Sequence, residues 1–309
     1  MLARLAWTYS SSARKTQRIV RPARGQFVVG VILLAFAASL AMNASSSNCE
    51  KQEPACDHSS GLFKEDKKEI ARQLVSAAEY TTLVWKGTYS SIAYNVELDE
   101  AENRGYTAGI IGFTSKYSDL LAVVERFSEN KKENLLNKYK KPLKDLSKRE
   151  SGSKDGLGKE FEEAWKKSDQ DDTKLFREAQ DFVNDTWYFE PAVCRAQRDG
   201  LKSLGQFIYY DAIVMHGPDP DLKEKISFDK IRDEAIKKTK TPANCGDETE
   251  YLNIFMSVRV ELMKREAGHK CNIDRVQNMQ QKFLDAKNLD LNPPLSFTVN
   301  KTAFKIPPN

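Results

Sequence analysis

Between Ser76 and Phe113 the chain reads SAAEYTTLVWKGTYSSIAYNVELDEAENRGYTAGIIGF, and the order of patterns in this stretch leaves few ways to fold it. Apolar residues at the i, i+3, i+4 spacing (Ile70, Ala71, Leu74, Val75, Ala78) predict an amphipathic helix from about Lys64 to Glu79. A polar loop follows, with carboxylates at Glu97, Asp99, Glu100 and Glu102. Gly105, Gly109 and Gly112 then punctuate a β-branched and aromatic run, Tyr106 to Phe113, which predicts a short strand or hairpin beside a cleft. The helix macrodipole disfavours an anion at Glu79, as does partial burial against the following aromatics, and both act in the sense an acid catalyst needs. Two carboxylates in different environments suit acid/base hydrolysis of a glycosidic bond, where one is held protonated and the other activates water. Without further context, a solvated helix end is the commoner fate of a residue such as Glu79.

The context is supplied by Ser-Ala-Ala-Glu79, Trp85-Lys86, Arg104-Gly-Tyr-Thr107, Gly109-Ile-Ile-Gly-Phe113 and Asp119, and downstream by GQFIYYDAIVMHGP, GDETEYLN and NLDLNPPL. Together these resemble the family 46 chitosanases, inverting glycoside hydrolases with a lysozyme-like fold. The likeness runs from roughly Glu69 to Leu295. It implies a mainly α-helical (α+β) domain of two lobes, with a small β element flanking the substrate cleft. It implies endo-hydrolysis of β-1,4-linked glucosamine polymer, with Glu79 as general acid and Glu102 at the position of the general base. Thr107 would help place the water. Arg104, Asp119, Tyr188, His216 and Glu266 would line the sugar subsites, acids pairing with substrate ammonium groups and aromatic faces packing on pyranose rings. No metal or cofactor is implied.

The chain departs from the family pattern in four places. Glu102 stands where Asp is usual, the loop between acid and base is longer, Tyr80 replaces a small amide, and Lys270 follows His269 where an acidic residue is usual. Asp99 is therefore a second candidate base, since a lengthened loop could fold it into place. Losing a well-placed base motivates a rival reading from another class, a protein that binds chitosan or another wall polysaccharide without cutting it. Hydrolysis of N-acetylated chitin or peptidoglycan is a third; the acid-rich loop argues against it.

Asp211 lies in the apolar run LKSLGQFIYYDAIVMH, so burial is expected, and a buried carboxylate must be paired or protonated. Arg259 (YLNIFMSVR) and Arg275 (CNIDR) are the arginines set in amphipathic helical sequence downstream. By resemblance these three form the network behind the general acid. His216, at the end of the same run, matches a cleft-lining family position; a helix-terminal His making a structural hydrogen bond is the alternative. Helical patterns are also predicted from Asp119 to Leu146, from Gly158 to Tyr188, and from Tyr188-Phe-Glu-Pro191 to Gly200, with Pro293-Pro294 ending the last helix. Asp247, Glu248 and Glu250 read as helix N-terminal acids, because the segment lacks the spaced ligands and loop glycine of a calcium site.

The formal charge of +4 invites a nucleic-acid partner, but its distribution does not. Residues 1–45 carry Arg4, Arg14, Lys15, Arg18, Arg21 and Arg24 and no acid; the remainder holds 42 basic against 44 acidic residues, a net of −2. A mildly acidic domain suits a cationic ligand better than a polyanion. Three regions are expected: a basic, apolar leader at 1–42, a polar linker at 43–62, and the catalytic domain at 63–309. The apolar run FVVGVILLAFAASLAM (27–42) reads as a signal peptide, with Ser39-Leu-Ala41 offering cleavage, or as a retained signal anchor. Basic residues before it keep that end cytoplasmic, so the domain is expected outside the cell, as a monomer touching membrane only through that segment. Five cysteines leave at least one without an intrachain partner. A local Cys49–Cys56 disulfide is one expectation for the linker, and pairing elsewhere is the other. No CxxC or His-x-Cys spacing points to zinc. Asn43, Asn184 and Asn300 head glycosylation sequons.

Overall fold

The computed structural model describes residues 55–94, 104–217, 226–265 and 272–308. The chain divides into Met1–Ser47 and Asn48–Asn309, and every described residue belongs to the second unit. The leader, Cys49, the loop carboxylates Glu97, Asp99, Glu100 and Glu102, and Glu266 lie outside the described residues.

Helix α1 (Glu65–Tyr80) opens with Glu65 and Asp66, acids that suit the positive end of the macrodipole. It buries Ile70, Ala71, Leu74, Val75 and Ala78, the face given by its apolar spacing. Strands β1 (Ile92–Tyr94), β2 (Tyr106–Ala108) and β3 (Phe113–Thr114) form an antiparallel sheet in that order. Tyr94 pairs with Tyr106, so the carboxylate-rich loop leaves and re-enters the sheet at one rung of the ladder. Helices α2 (Ser118–Asn130), α3 (Lys140–Lys148), α4 (Glu160–Asp171) and α5 (Thr173–Asn184) follow. The helical pattern expected from Asp119 to Leu146 is divided between two helices: α2 stops at Asn130, and the Asn134 side chain donates to the Lys131 carbonyl and accepts the Leu136 N–H, forming a turn.

A π-helical turn (Asp185–Phe189) carries α5 into α6 (Glu190–Arg198). Helix α7 (Ser203–His216) is apolar on nearly every side, as a helix at the centre of a core must be, and it packs against α1, α6 and α8 (Phe228–Lys238). Helix α9 (Glu248–Arg265) begins where Asp247 accepts the Glu250 N–H, an N-cap that places the acidic trio at a helix start. A second π-helical turn (Arg275–Gln280) leads into the short α10 (Gln281–Asp285). Pro293-Pro294 does not end that helix, which stops at Asp285. The pair instead precedes a C-terminal hairpin, β4 (Leu295–Val299) and β5 (Thr302–Ile306), which the sequence reading lacked.

The linker cysteine pairs with the domain rather than locally. Cys56 is bonded to Cys194 on α6, across a sequence separation of 138, which overturns the Cys49–Cys56 expectation. The segment it anchors lies flat on α6, because Gln197 accepts the Asp57 N–H at 2.7 Å and donates to the Asp57 carbonyl at 2.9 Å. His58 lies within the same cluster, but the two sulfurs are joined to each other and offer no thiolate pair to a metal. Cys245 is also disulfide-bonded. Of the sequons, Asn184 is fully buried and bonded to Tyr210, so it presents no acceptor nitrogen at the surface. A cross-link closing so long a loop removes much of the unfolded chain's freedom. The Cys56→Ser, Cys194→Ser double variant should therefore lose about 2–5 kcal/mol of stability in urea unfolding, and an unchanged midpoint would show that the bridge constrains nothing.

Candidate active site

Asp211, in the middle of α7, is 0% exposed, and the site is built outward from it. A buried carboxylate needs donors, and Asp211 has three side chains supplying them. Arg275 donates to Oδ1 from Nη2 at 2.8 Å and from Nε at 3.2 Å. Arg259 donates to Oδ2 from Nη1 at 2.7 Å, and Gln280 Nε2 donates to the same oxygen at 2.7 Å. Burial alone would raise the Asp211 carboxyl pKa, but Arg275 and then Arg259 outweigh it and hold the group below its usual range. The cluster continues outward in two directions. Arg259 Nε donates to His216 Nε2 at 3.0 Å, so that ring nitrogen is the unprotonated one. Arg275 Nη2 donates to Glu79 Oε1 at 2.7 Å.

Glu79 sits on the last turn of α1, and its side chain is 25% exposed against 3% for Arg275. It is the point where a buried chain of charges meets solvent. Tyr80, next to it, donates its hydroxyl to the Gly109 carbonyl and so ties the end of α1 to the β2–β3 turn. Gly109 has φ +74°, and a Cβ there would strike the Gln180 side chain, so glycine is required. Thr107 lies two residues before this anchor on β2, and Arg104 two before that strand.

A second cluster forms where the start of α2 meets the first π-helical turn. Asp119 Oδ2 accepts the Tyr188 hydroxyl at 2.9 Å, and Oδ1 accepts the backbone N–H groups of Leu120 at 2.9 Å and Thr114 at 3.2 Å. Burial pushes the Asp119 carboxyl up to about 6 despite these donors. Asp119 is thus a carboxylate fixed in orientation.

The sequence from residue 73 to residue 295 matches the profile of glycosyl hydrolase family 46. The chain belongs to this family. A chitosanase of Streptomyces sp. (strain N174) is 43% identical over 272 residues, which are 88% of this chain and 93% of that protein. Chitosanase OU01, solved in co-crystals with substrate, superposes with a TM-score of 0.73 at 37% identity, covering 80% of this chain and 98% of the other. The family 46 chitosanase of Gynuella sunshinyii, solved with chitotetraose, gives 0.72 at 28% identity over 80% of this chain and 99% of the other.

For a family 46 hydrolase, the structure brings Glu79, Asp211, Arg259, Arg275 and His216 into one continuous cluster, and Asp119 and Tyr188 into another. His216 is 8% exposed and makes the structural bond to Arg259, the alternative weighed for a helix-terminal His. Glu102, Asp99 and Glu266 fall outside the described residues. Gln280 was missed. It is fully buried, accepts from Arg259 Nη1 at 3.3 Å as well as donating to Asp211, and lies five residues after Arg275. In an α-helix residues five apart point about 140° away from each other, so no α-helical periodicity pairs them. The wider π-helical turn lets both reach Asp211.

Arg259→Ala leaves a buried carboxylate short of a charge partner and should cost about 3–5 kcal/mol in chemical denaturation. Gln280→Met removes a neutral donor of similar shape and should cost about 1–3 kcal/mol. Equal, negligible costs for both would mean that Asp211 is not held as an anion.

Proposed function

We propose that this chain hydrolyses chitosan within the polymer and with inversion at the anomeric carbon. The observation that carries the reading is Glu79, a carboxyl at the solvent edge of a buried Asp–Arg cluster in a family 46 chain. In this mechanism Glu79 gives its proton to the glycosidic oxygen as the C1–O bond breaks, and the bonding electron pair stays on that oxygen. Glu102 takes a proton from a water that attacks C1 from the opposite face, with Thr107 helping to place it. The products are a hemiacetal of inverted configuration and a free hydroxyl on the neighbouring sugar. Arg104, Asp119, Tyr188 and Glu266 are the proposed sugar-binding set, while His216, whose Nε2 is taken by Arg259, keeps the structural role. The ammonium groups of glucosamine suit the mildly acidic charge balance of the domain.

Export from the cell is part of the proposal. Its supports are the basic stretch followed by an apolar run at 27–42, and the oxidised Cys56–Cys194 and Cys245. No helix among the described residues is long and apolar enough to cross a membrane, and the apolar run lies outside them.

The direct test is incubation with chitosan, following viscosity, reducing ends and the first-formed anomer by NMR. Rapid loss of viscosity and an α-anomer from the β-linked substrate are expected. A β-anomer would sink the mechanism, and binding without turnover would favour the non-catalytic reading. Glu102→Gln should lower kcat by roughly two to four orders of magnitude while substrate still binds, and Asp99→Asn should change it by less than about threefold. The reverse pattern would make Asp99 the base.

Asp119 gives a pH signature. Its carboxyl is raised in the folded protein, so the charge that attracts an ammonium group is half formed at about 6, grows as pH rises above that value and is lost as pH falls below it. The KM advantage of wild type over Asp119→Asn should therefore shrink as pH falls through about 6. An advantage independent of pH would show that the Asp119 charge plays no part in binding.

A further inference from the structure

The hairpin β4–β5 turns through Asn300 and Lys301, at φ +50° and +62°, the left-handed pair of a two-residue turn that closes on Val299 and Thr302. Asn tolerates that conformation, but the turn alone does not explain where its side chain goes. Asn300 Nδ2 donates to the Ala78 carbonyl at 3.2 Å and to Thr81 Oγ1 at 3.0 Å. The Asn300 backbone N–H donates to Asp274 Oδ2 at 2.6 Å. Ala78 and Asp274 are the chain neighbours of Glu79 and Arg275, the two residues joined at 2.7 Å across the edge of the cluster.

The helix end explains why such a contact is needed. The last carbonyls of α1 have no partner within the helix. Thr81, itself left-handed, returns its N–H to the Ala77 carbonyl, and the Ala78 carbonyl is taken by Asn300. Glu79 thus hangs on a helix terminus whose position is fixed from outside by the hairpin tip. Arg275 begins a π-helical turn whose preceding residue is held by the same tip. Both ends of the Glu79–Arg275 contact are referred to one residue.

We propose that Asn300 is a positioning residue for the Glu79–Arg275 pair: the C-terminal hairpin acts as a strut that fixes the acid against its guanidinium partner. The proposal rests on the reading of Glu79 as the general acid. Misplacement of a catalytic group by a fraction of an ångström to an ångström lowers the rate of the chemical step and leaves ground-state binding largely intact.

The test uses Asn300→Gly, which keeps the left-handed turn and removes the amide, and Asn300→Asp, which also suits the turn but presents an acceptor to the Ala78 carbonyl. With each protein folded at the assay temperature, Asn300→Gly should lower kcat on chitosan about 5- to 20-fold with KM within about twofold, and Asn300→Asp should lower it further. A hairpin that only stabilises the fold would lower the melting temperature and leave kcat of the folded enzyme unchanged, which would overturn the proposal. The Nη2 resonance of Arg275, the nitrogen that meets Glu79, observed by 15N NMR, supplies a readout independent of turnover. It should shift in both variants, and an unmoved resonance would also overturn the proposal. If wild type itself does not cut chitosan, the functional reading fails, and the NMR result alone decides whether Asn300 sets the pair.

Discussion

A carboxylate removed from water in the middle of an apolar helix is the constraint around which this domain is arranged. Asp211 is fully buried, and its charge is tolerated because two guanidinium groups and an amide reach it from other elements. Taking any partner away leaves a desolvated charge short of compensation, so α7, α9 and the Arg275–Gln280 turn must stay in register. Arg275 serves both Asp211 and Glu79 through one nitrogen, so the geometry of the buried site is carried to the edge of solvent. A surface carboxyl on a fraying helix end would lack that definition.

How much of this could be read from the residues depends on how local each signal was. Asp211 stood out because one carboxylate interrupts a long apolar run, and Arg259 and Arg275 stood out as arginines inside amphipathic sequence. The α1 face followed from its spacing, and the small sheet from glycines punctuating a β-branched run. Gln280 was invisible because a π-helical turn changes which residues share a face, and amphipathic periodicity presumes the α-helical value. The Cys56–Cys194 bridge joins residues far apart in sequence, and five cysteines do not dictate pairing. The C-terminal hairpin was hidden behind Pro293-Pro294, read as the end of a helix when it introduces a strand.

One departure from the family pattern, Tyr80, is tied into the same framework. Tyr80, where a small amide is usual, is half-buried and anchors the β2–β3 turn to the end of α1. Cys56 and Asp57, ahead of α1, are pinned to α6 by a disulfide and by Gln197. Glu79 and the end of α1 that carries it are therefore held from three sides: by Arg275 from the core, by Tyr80 through the sheet, and by Asn300 at the helix end.

If the buried cluster acts on catalysis through Glu79, its effect must vanish when Glu79 can no longer donate a proton. A double-mutant cycle on kcat with Asp211→Asn and Glu79→Gln measures this. Asp211→Asn alone should lower kcat by about one to two orders of magnitude, and in the Glu79→Gln background it should produce no further loss. Losses that multiply would show that Asp211 and Glu79 contribute independently, and would contradict the role of the cluster in holding the acid.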